Sequence, residues 1–486
     1  MIRGLPENGR SPTAERLGRM SPLPQRIRPS QRVRMGWFLA LAAAHALLGV
    51  LCAHNAWIAF GHASGTLAIG LCLVLAGRPR IQLAYWGAYV VGAEVLWRMA
   101  RAPLPWEFAK YALSLVLLLG FRRSWTRNFP WLPVGYFLLL LPATVQTLYE
   151  QPLGLAKDLI SFNLSGPFSL AVCALFFSQV EMDSARIQRL LSWLVFPIAS
   201  IAAAALFGLT TLDRVEFGSG SNFAATGGFG PNQVSAILGL GSLCLVLMVT
   251  SLRVGNGLRL AFVLLAGWFC AHAVLSFSRT GIYLLGASLL TAVPSLSFKR
   301  LFHPMTLIAG GLTILLGLGG WQYLDQFTGG KLGERFSNLS LTGRNRIANE
   351  DLAIWQEHFL LGAGIGRSSL EREAPGAERI AAHTEYTRLL SDHGLLGVLS
   401  LLLLIGVVVD NLLSRRPRFA KPVVIASTTW ALLYLGVSGM RTAAPALLFG
   451  LGLARMTALP GLPWVGKRLD LRAAGVAAPA PVGHGV

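Results

Sequence analysis

The chain has 486 residues, of which 53% are hydrophobic and 13% are charged, and its mean hydropathy is +0.56. A soluble protein of this size carries about twice that charged fraction, so the composition excludes a soluble globular fold and indicates an integral membrane protein. The formal net charge of +20 does not indicate nucleic-acid binding, because the basic residues lie between apolar runs. The five cysteines all lie within apolar runs, and we expect neither a disulfide nor a metal site among them.

Residues 1–34 are rich in Arg, Pro and Ser and contain no apolar core, which predicts a disordered basic cytoplasmic tail rather than a signal peptide. Apolar runs long enough to cross about 30 Å of hydrocarbon then recur along the chain. They predict an all-α membrane protein with about 12–14 transmembrane helices. The predicted spans are 36–54, 57–77, 81–99, 106–121, 131–149, 160–180, 190–210, 231–251, 258–276, 281–297, 304–321, 395–413, 421–438 and 443–459.

The short loops alternate in their content of Lys and Arg. Loops on one side carry basic groups such as Arg122, Arg123 and Arg127, whereas those on the other side carry few. Because basic short loops stay in the cytoplasm, the pattern predicts an even number of spans with both termini in the cytoplasm. It divides the chain into an N-terminal transmembrane bundle (35–321), an outer loop (322–394), C-terminal transmembrane helices (395–459) and a cytoplasmic tail (460–486).

The outer loop is basic, and this suggests an anionic ligand on the outer face. Within it, RIANEDLAIWQEHFLLG predicts an amphipathic helix whose apolar face is formed by Ala348, Leu352, Trp355 and Phe359. This face would lie on the membrane surface or pack over a cavity. HTEYTRLLSDHG predicts a second short helix that ends at Gly394.

Four outward segments carry residues suited to chemistry. Each has an ordinary structural explanation: Asn232 in GGFGPNQ as a helix cap, Arg279 in SFSRTG as a side chain reaching to the membrane surface, Arg344 and Arg346 as a solvated basic face, and His383 as a cap or surface histidine. The predicted topology places all of them on one face, which favours a shared site. Guanidinium groups bind diphosphates bidentately, and a neutral histidine accepts a proton from a hydroxyl.

These features suit the transfer of a glycosyl group from a diphosphate leaving group. No Asp-rich motif such as DxD supports a bound metal, and arginines can supply the charge stabilisation instead. Glu94 and Arg98 lie four residues apart on a predicted span, which favours a structural ion pair but leaves acceptor or lipid binding open. Glu385 and Tyr386, beside His383, and Asn232 are candidate supporting residues.

The order of these motifs resembles the O-antigen ligase and O-antigen polymerase superfamily of bacterial envelope glycosyltransferases. The resemblance covers about a third of the chain, from Gly227 to Leu399, through GFGPNQ, SFSRTG, TGR followed by LLGAGIG, and HTEYTRLLSDHGLLG. The motifs are specific for the superfamily in this order and for none of its members. Thr384 stands where Asn is common after the histidine, and Phe359 stands where Pro is common before LLG.

The resemblance implies a metal-independent, cofactor-free, inverting enzyme of the bacterial inner membrane whose active site faces the periplasm. Its donor would be an undecaprenyl-diphosphate-linked glycan. His383 would activate the acceptor hydroxyl, and Arg279 and Arg344 would bind the diphosphate. Arg346 lies outside the shared pattern and is a further candidate ligand of the diphosphate. The acceptor would be a polysaccharide, lipid A-core or another lipid-linked repeat unit, and other polysaccharide assembly proteins are candidate partners besides membrane lipids.

Two other functional hypotheses compete with this prediction. A transporter or flippase for a lipid-linked glycan would also need a basic cavity, but we see no inverted repeat in the sequence. A purely structural membrane subunit would leave the outward arginines and histidine without a role.

Overall fold

The computed structural model describes residues 34–121, 129–211, 222–337, 344–372, 384–437 and 439–458. These segments are almost entirely helical. The first helices are α1 (Met35–His54), α2 (Ala56–Leu75), α3 (Arg80–Met99), α4 (Phe108–Leu119), α5 (Trp131–Leu140), α6 (Pro142–Glu150), α7 (Leu153–Phe177), α8 (Ser184–Thr210), α9 (Pro231–Ser251) and α10 (Asn256–Leu275).

The remaining helices include the predicted outer loop and the last spans. They are α11 (Thr280–Ala292), α12 (Phe298–Leu301), α13 (Pro304–Phe327), α14 (Lys331–Ser337), α15 (Arg344–Glu357), α16 (Ser368–Glu371), α17 (Glu385–Leu413), α18 (Lys421–Tyr434) and α19 (Ala444–Leu453). Short 3-10 helices span Ala224–Thr226, Val293–Ser295, Leu435–Val437 and Gly439–Arg441. Two short strands, β1 (Glu181–Met182) and β2 (Arg455–Met456), pair in parallel.

The chain is an all-α, multi-pass membrane protein. Among the described residues, eight helical stretches are long and apolar enough to cross a membrane: α1, α2, α5 with α6, α7, α8, α9, α10 and α17. Four shorter apolar segments, containing α4, α11, α18 and α19, coincide with further predicted spans. The two other predicted spans correspond to α3, which carries charged side chains, and to α13.

The centre of the bundle is formed by α8 and α9, whose most apolar windows are 83% and 94% buried. α9 packs against α8, α10, α11 and α18. Its contact with α11 is especially close, because a Cβ on Gly281 would lie 2.0 Å from the Ser235 carbonyl oxygen. Only glycine therefore permits this crossing, which brings together the first turns of α9 and α11.

The bundle has two ends with different chemistry. We call the end at which β1 pairs with β2 the strand end. We call the opposite end, where α3 finishes and α9, α11 and α17 begin, the cluster end. Long-range contacts define the cluster end: Arg98 of α3 reaches both Gln233 of α9 and the Arg441 carbonyl oxygen before α19. All the described segments of the predicted outer loop beyond α13 lie at this end.

The two predicted helices of the outer loop are present, and the structure shows which face of the first one packs against the protein. The predicted end at Gly394 is confirmed: this residue has φ 57° and ψ −135°, and it interrupts α17 with a kink. The buried face of α15, however, contains Ile347, Asp351 and Ile354. The predicted apolar face is the more exposed one, with Leu352 36% exposed, which leaves it free to lie on the membrane surface, one of the two placements that we considered.

Candidate functional site

The GFGPNQ and SFSRTG motifs are locked together at the cluster end. Asn232 Oδ1 accepts a hydrogen bond from the Ser278 hydroxyl at 2.8 Å. The Ser235 hydroxyl donates to the Ser278 carbonyl oxygen at 2.8 Å and accepts from the Gly281 N–H at 3.1 Å. Asn232 is not the helix cap that we considered: Gly230 is the N-cap of α9, and Asn232 instead holds the start of α11.

The predicted Glu94–Arg98 ion pair is present and buried, with 2.7 Å between Oε1 and Nη2. Arg98 also donates to the carbonyl oxygens of Arg441 at 2.8 Å and Trp106 at 3.0 Å, and to Gln233 Oε1 at 3.5 Å. The second Glu94 oxygen accepts from the Ala443 N–H at 2.7 Å. The pair therefore joins α3 to α9 and to the segment before α19, so its charges are fixed by several elements.

A second buried charge cluster lies on the first turns of α17. Arg388 donates from Nε to Glu385 Oε2 at 2.7 Å and from Nη1 to Asp392 Oδ2 at 3.2 Å. Asp392 also accepts from the backbone N–H groups of Gly366 at 2.9 Å and Ser368 at 3.3 Å. The spacings of three and four residues place the three charged groups on one helix face. Asp392 thus fastens the end of LLGAGIG, at Gly366, and the next turn of chain, at Ser368, to the helix formed by HTEYTRLLSDHG.

Asp351 attaches α15 to the same helix. Its carboxylate forms an ion pair with Arg372 and accepts a hydrogen bond from the Thr387 hydroxyl at 2.7 Å. Burial raises the pKa of the Asp351 carboxyl above its ordinary value, whereas the Thr387 hydrogen bond and the Arg372 charge act in the opposite direction. A buried carboxylate needs such partners, because desolvation disfavours its charged form.

A cavity of about 70 Å³ lies between α7, the segment after LLGAGIG, and α17. Its polar lining comprises Asn163, Ser368, Ser369, Arg372, Glu385, Arg388, Asp392 and Arg441. The cavity therefore brings charged groups of both signs next to a small polar space, which suits hydroxyl-bearing or anionic groups better than an apolar molecule.

A third basic group surrounds the SFSRTG turn. Arg279 is half-buried at the start of α11. Arg335 of α14 is buried and donates from Nε to the Phe277 carbonyl oxygen at 3.1 Å. Burial, and secondly the charge of Arg279, lower the pKa of Arg335 below its ordinary value. The two guanidinium groups are thus electrostatic neighbours at the cluster end.

The remaining predicted site residues lie in different surroundings. Arg346 is 70% exposed in its side chain and pairs with Glu350 at 3.5 Å. Tyr386 donates its hydroxyl to the Leu432 carbonyl oxygen at 2.6 Å, linking α17 to α18. Thr384 caps α17 by accepting from the Tyr386 N–H. His383 and the side chain of Arg344 lie outside the described residues.

Sequence reasoning missed five residues of this region: Asp351, Arg388, Asp392, Arg335 and Arg441. The spacing of Glu385, Arg388 and Asp392 was a usable signal, because such residues share a helix face. No local pattern marks Arg335 or Asp351. Among the described residues, no group of three or more His, Cys, Asp or Glu side chains is arranged to hold a metal ion.

Comparison with known proteins gives no match: neither a protein-family model nor a curated protein sequence matches the chain.

Proposed function

We propose that the chain is a membrane glycosyltransferase of the O-antigen ligase and polymerase type. It transfers a glycan en bloc from an undecaprenyl-diphosphate donor to an acceptor hydroxyl, in the synthesis of a surface polysaccharide such as O-antigen, capsule or exopolysaccharide. In this proposal the cluster end faces the periplasm of a bacterial inner membrane, and both termini lie in the cytoplasm, in accord with the basic short loops.

The interlocking of the motif segments carries the proposal. GFGPNQ and SFSRTG are joined by Asn232 and Ser278, while Asp392 joins HTEYTRLLSDHG to the backbone after LLGAGIG. Arg98 links the two pairs of motifs. It contacts Gln233 of GFGPNQ and the carbonyl oxygen of Arg441, and Arg441 lines the same cavity as Arg388 of HTEYTRLLSDHG. Motifs that are weak individually and distant in sequence therefore share one end of the bundle, as parts of a single site must.

The proposed reaction needs a base and an anion clamp. His383 takes the proton from the acceptor hydroxyl as its oxygen attacks the anomeric carbon of the donor glycan. The bond from that carbon to the diphosphate oxygen breaks with inversion, and undecaprenyl diphosphate leaves with the bonding electron pair. Arg279 and Arg344 stabilise the charge that develops on the diphosphate. The reaction is common to a ligase and a polymerase, which differ in the acceptor.

The test is glycan transfer in membranes that contain His383→Ala, compared with wild type at matched expression. His358→Ala is the control, because His358 is a partly exposed histidine of the same outer segment. Loss of a general base lowers transfer by about 10²–10⁴-fold, so we expect that loss in His383→Ala and normal transfer in the control. Normal transfer by His383→Ala would refute the mechanism and favour a transporter or another catalytic residue.

A further inference from the structure

Arg335 occupies an unusual position beside a motif to which it does not belong. Its helix, α14, comes from the predicted outer loop, and its Nε contacts the carbonyl oxygen of Phe277 at 3.1 Å. Phe277 has a left-handed backbone with φ 56° and precedes Arg279 by two residues. The preceding residue is also fixed, because the Ser276 carbonyl oxygen accepts from the Asn222 N–H. Arg335 is therefore held against the turn that leads into α11.

The electrostatic surroundings of Arg335 differ from those of other buried arginines at the cluster end. Arg98, Arg372 and Arg388 each contact a carboxylate. Within the described part of the chain, Arg335 has no carboxylate within ion-pair distance, and its only hydrogen bond is the one to Phe277. The charge of Arg279, which has the same sign, lowers the pKa of Arg335. Arginine stays protonated in proteins, so this arrangement buries a cation beside another cation.

A buried charge without a counter-charge is costly, and a bound anion removes that cost. Among the described residues Arg335 forms a hydrogen bond only through Nε, to Phe277, and this bond fixes the plane of the guanidinium. A fixed guanidinium loses little conformational entropy when it binds, and its paired N–H groups match the oxygens of a phosphate. Two adjacent cations favour a multiply charged anion over a single carboxylate.

We propose that Arg335 and Arg279 together form a binding site for a diphosphate group, with Arg335 as a ligand outside the recognised motifs. The identity of the diphosphate as that of the lipid-linked donor rests on the proposed function. The anion site itself depends on the positions and charges of Arg335 and Arg279 and not on the reaction that the protein performs. α14 would then contribute directly to substrate binding, and it would not merely connect α13 to α15.

The test uses the full chain in phosphatidylcholine nanodiscs and inorganic pyrophosphate as the probe, titrated calorimetrically at constant ionic strength. The variants are Arg335→Gln, which removes the charge, and Arg335→Lys, which keeps the charge but not the fork. Lys331→Gln is the matched control, because Lys331 is an exposed cation of the same helix paired with Glu334. Ligand-free melting of each variant reports folding independently of binding.

Wild type and Lys331→Gln are expected to bind pyrophosphate equally. Arg335→Gln is expected to bind about tenfold more weakly or worse, as the loss of a charge-assisted hydrogen bond predicts. Arg335→Lys should fall between them, and it keeps the test valid if Arg335→Gln does not fold. Equal binding by all folded variants would overturn the proposal.

A second arm separates the diphosphate from a phospholipid headgroup, since both present phosphate oxygens. Nanodiscs containing phosphatidylglycerol should leave pyrophosphate binding to wild type unchanged. Abolition of that binding by phosphatidylglycerol would assign the site to membrane lipid and overturn the proposal.

A glycan-transfer assay then separates the role of Arg335 in binding from the proposed glycosyltransferase function. Normal transfer by Arg335→Gln with an unchanged KM for the donor would refute the role of Arg335 alone. Pyrophosphate binding that depends on Arg335, in a wild-type protein that transfers no glycan, would support the anion site and refute the proposed function.

Discussion

Arginine serves different purposes at the two ends of the bundle. At the strand end, guanidinium groups mainly bind backbone carbonyl oxygens near helix termini: Arg416 contacts Gly452 at 2.6 Å, and Arg259 contacts Arg300 at 3.1 Å. Arg186 contacts the Glu181 carbonyl oxygen at 2.9 Å and lies farther, at 3.8 Å, from the Asp183 carboxylate. Such contacts satisfy carbonyl groups that lack helical partners. These arginines also belong to the basic short loops that predicted the orientation of the chain.

At the cluster end, several arginines contact carboxylates as well as carbonyl groups, whereas Arg335 contacts no carboxylate in the described part of the chain. Arg98 and Arg388 each sit within a network that involves several elements, whereas Arg335 has only a carbonyl partner among the described residues. The strand end therefore uses positive charge to complete its helices. The cluster end holds positive charge in fixed positions around a polar space, an arrangement that suits the anionic ligand that we propose.

The largest expected effect on stability is that of Arg388→Ala. The substitution leaves the carboxylates of Glu385 and Asp392 buried without their cation, and breaking a buried pair in this way costs about 3–5 kcal/mol. Reversible unfolding of the purified protein in mixed micelles measures the change in free energy. The combined variant Glu385→Gln, Arg388→Met and Asp392→Asn should regain much of the loss, because no buried charge remains. Wild-type stability in Arg388→Ala would contradict the geometry of the cluster.

A smaller effect is expected at the strand end for Arg416→Ala. This change removes hydrogen bonds to Gly452, Ala454 and Asn411, and the loss of charged hydrogen bonds costs about 1.5–3 kcal/mol. The same unfolding measurement applies. Because the contacts are structural, glycan transfer per folded molecule should equal that of wild type. A selective loss of transfer at unchanged stability would remove the distinction between the two ends.

The smallest effect is expected for Arg346→Gln. The Arg346 side chain is largely exposed, and it forms an ion pair with Glu350, four residues along the same helix. Exposed pairs contribute little to stability, so the melting temperature should not change measurably. The KM for the donor should also be unchanged, in contrast to Arg335→Gln. A raised KM in Arg346→Gln would restore Arg346 as a diphosphate ligand and show that α15 binds the donor.

The positions of the helices could be predicted from the sequence more fully than the faces by which they pack. Every predicted span coincides with helical structure, because the thickness of the bilayer imposes a minimum length on apolar runs. The end at Gly394 was predictable from the glycine. The orientation of α15 was not, since an apolar stripe in a membrane protein can face lipid while the opposite face, with Asp351, packs inward.

The candidate site was predictable only in part, because local sequence patterns do not show which distant segments pack together. Asn232 and Arg279 could be selected because they stand in recognisable motifs, and the Glu94–Arg98 pair follows from its helical spacing. Asp351 and Arg335 look like ordinary surface residues of a basic loop in the sequence. Their environments arise from contacts with Arg372 and Phe277, the latter 58 residues away, and no local pattern encodes such contacts.

The most direct test of the central claim is transfer by the purified wild-type protein in proteoliposomes that contain the lipid-linked donor and an acceptor. The account predicts one new glycosidic bond and one released undecaprenyl diphosphate for each glycan transferred, with no metal or cofactor added. A lengthened lipid-linked chain would identify a polymerase, and a modified lipid A-core would identify a ligase. Movement of the intact donor across the bilayer without any new glycosidic bond would contradict the account and identify a transporter.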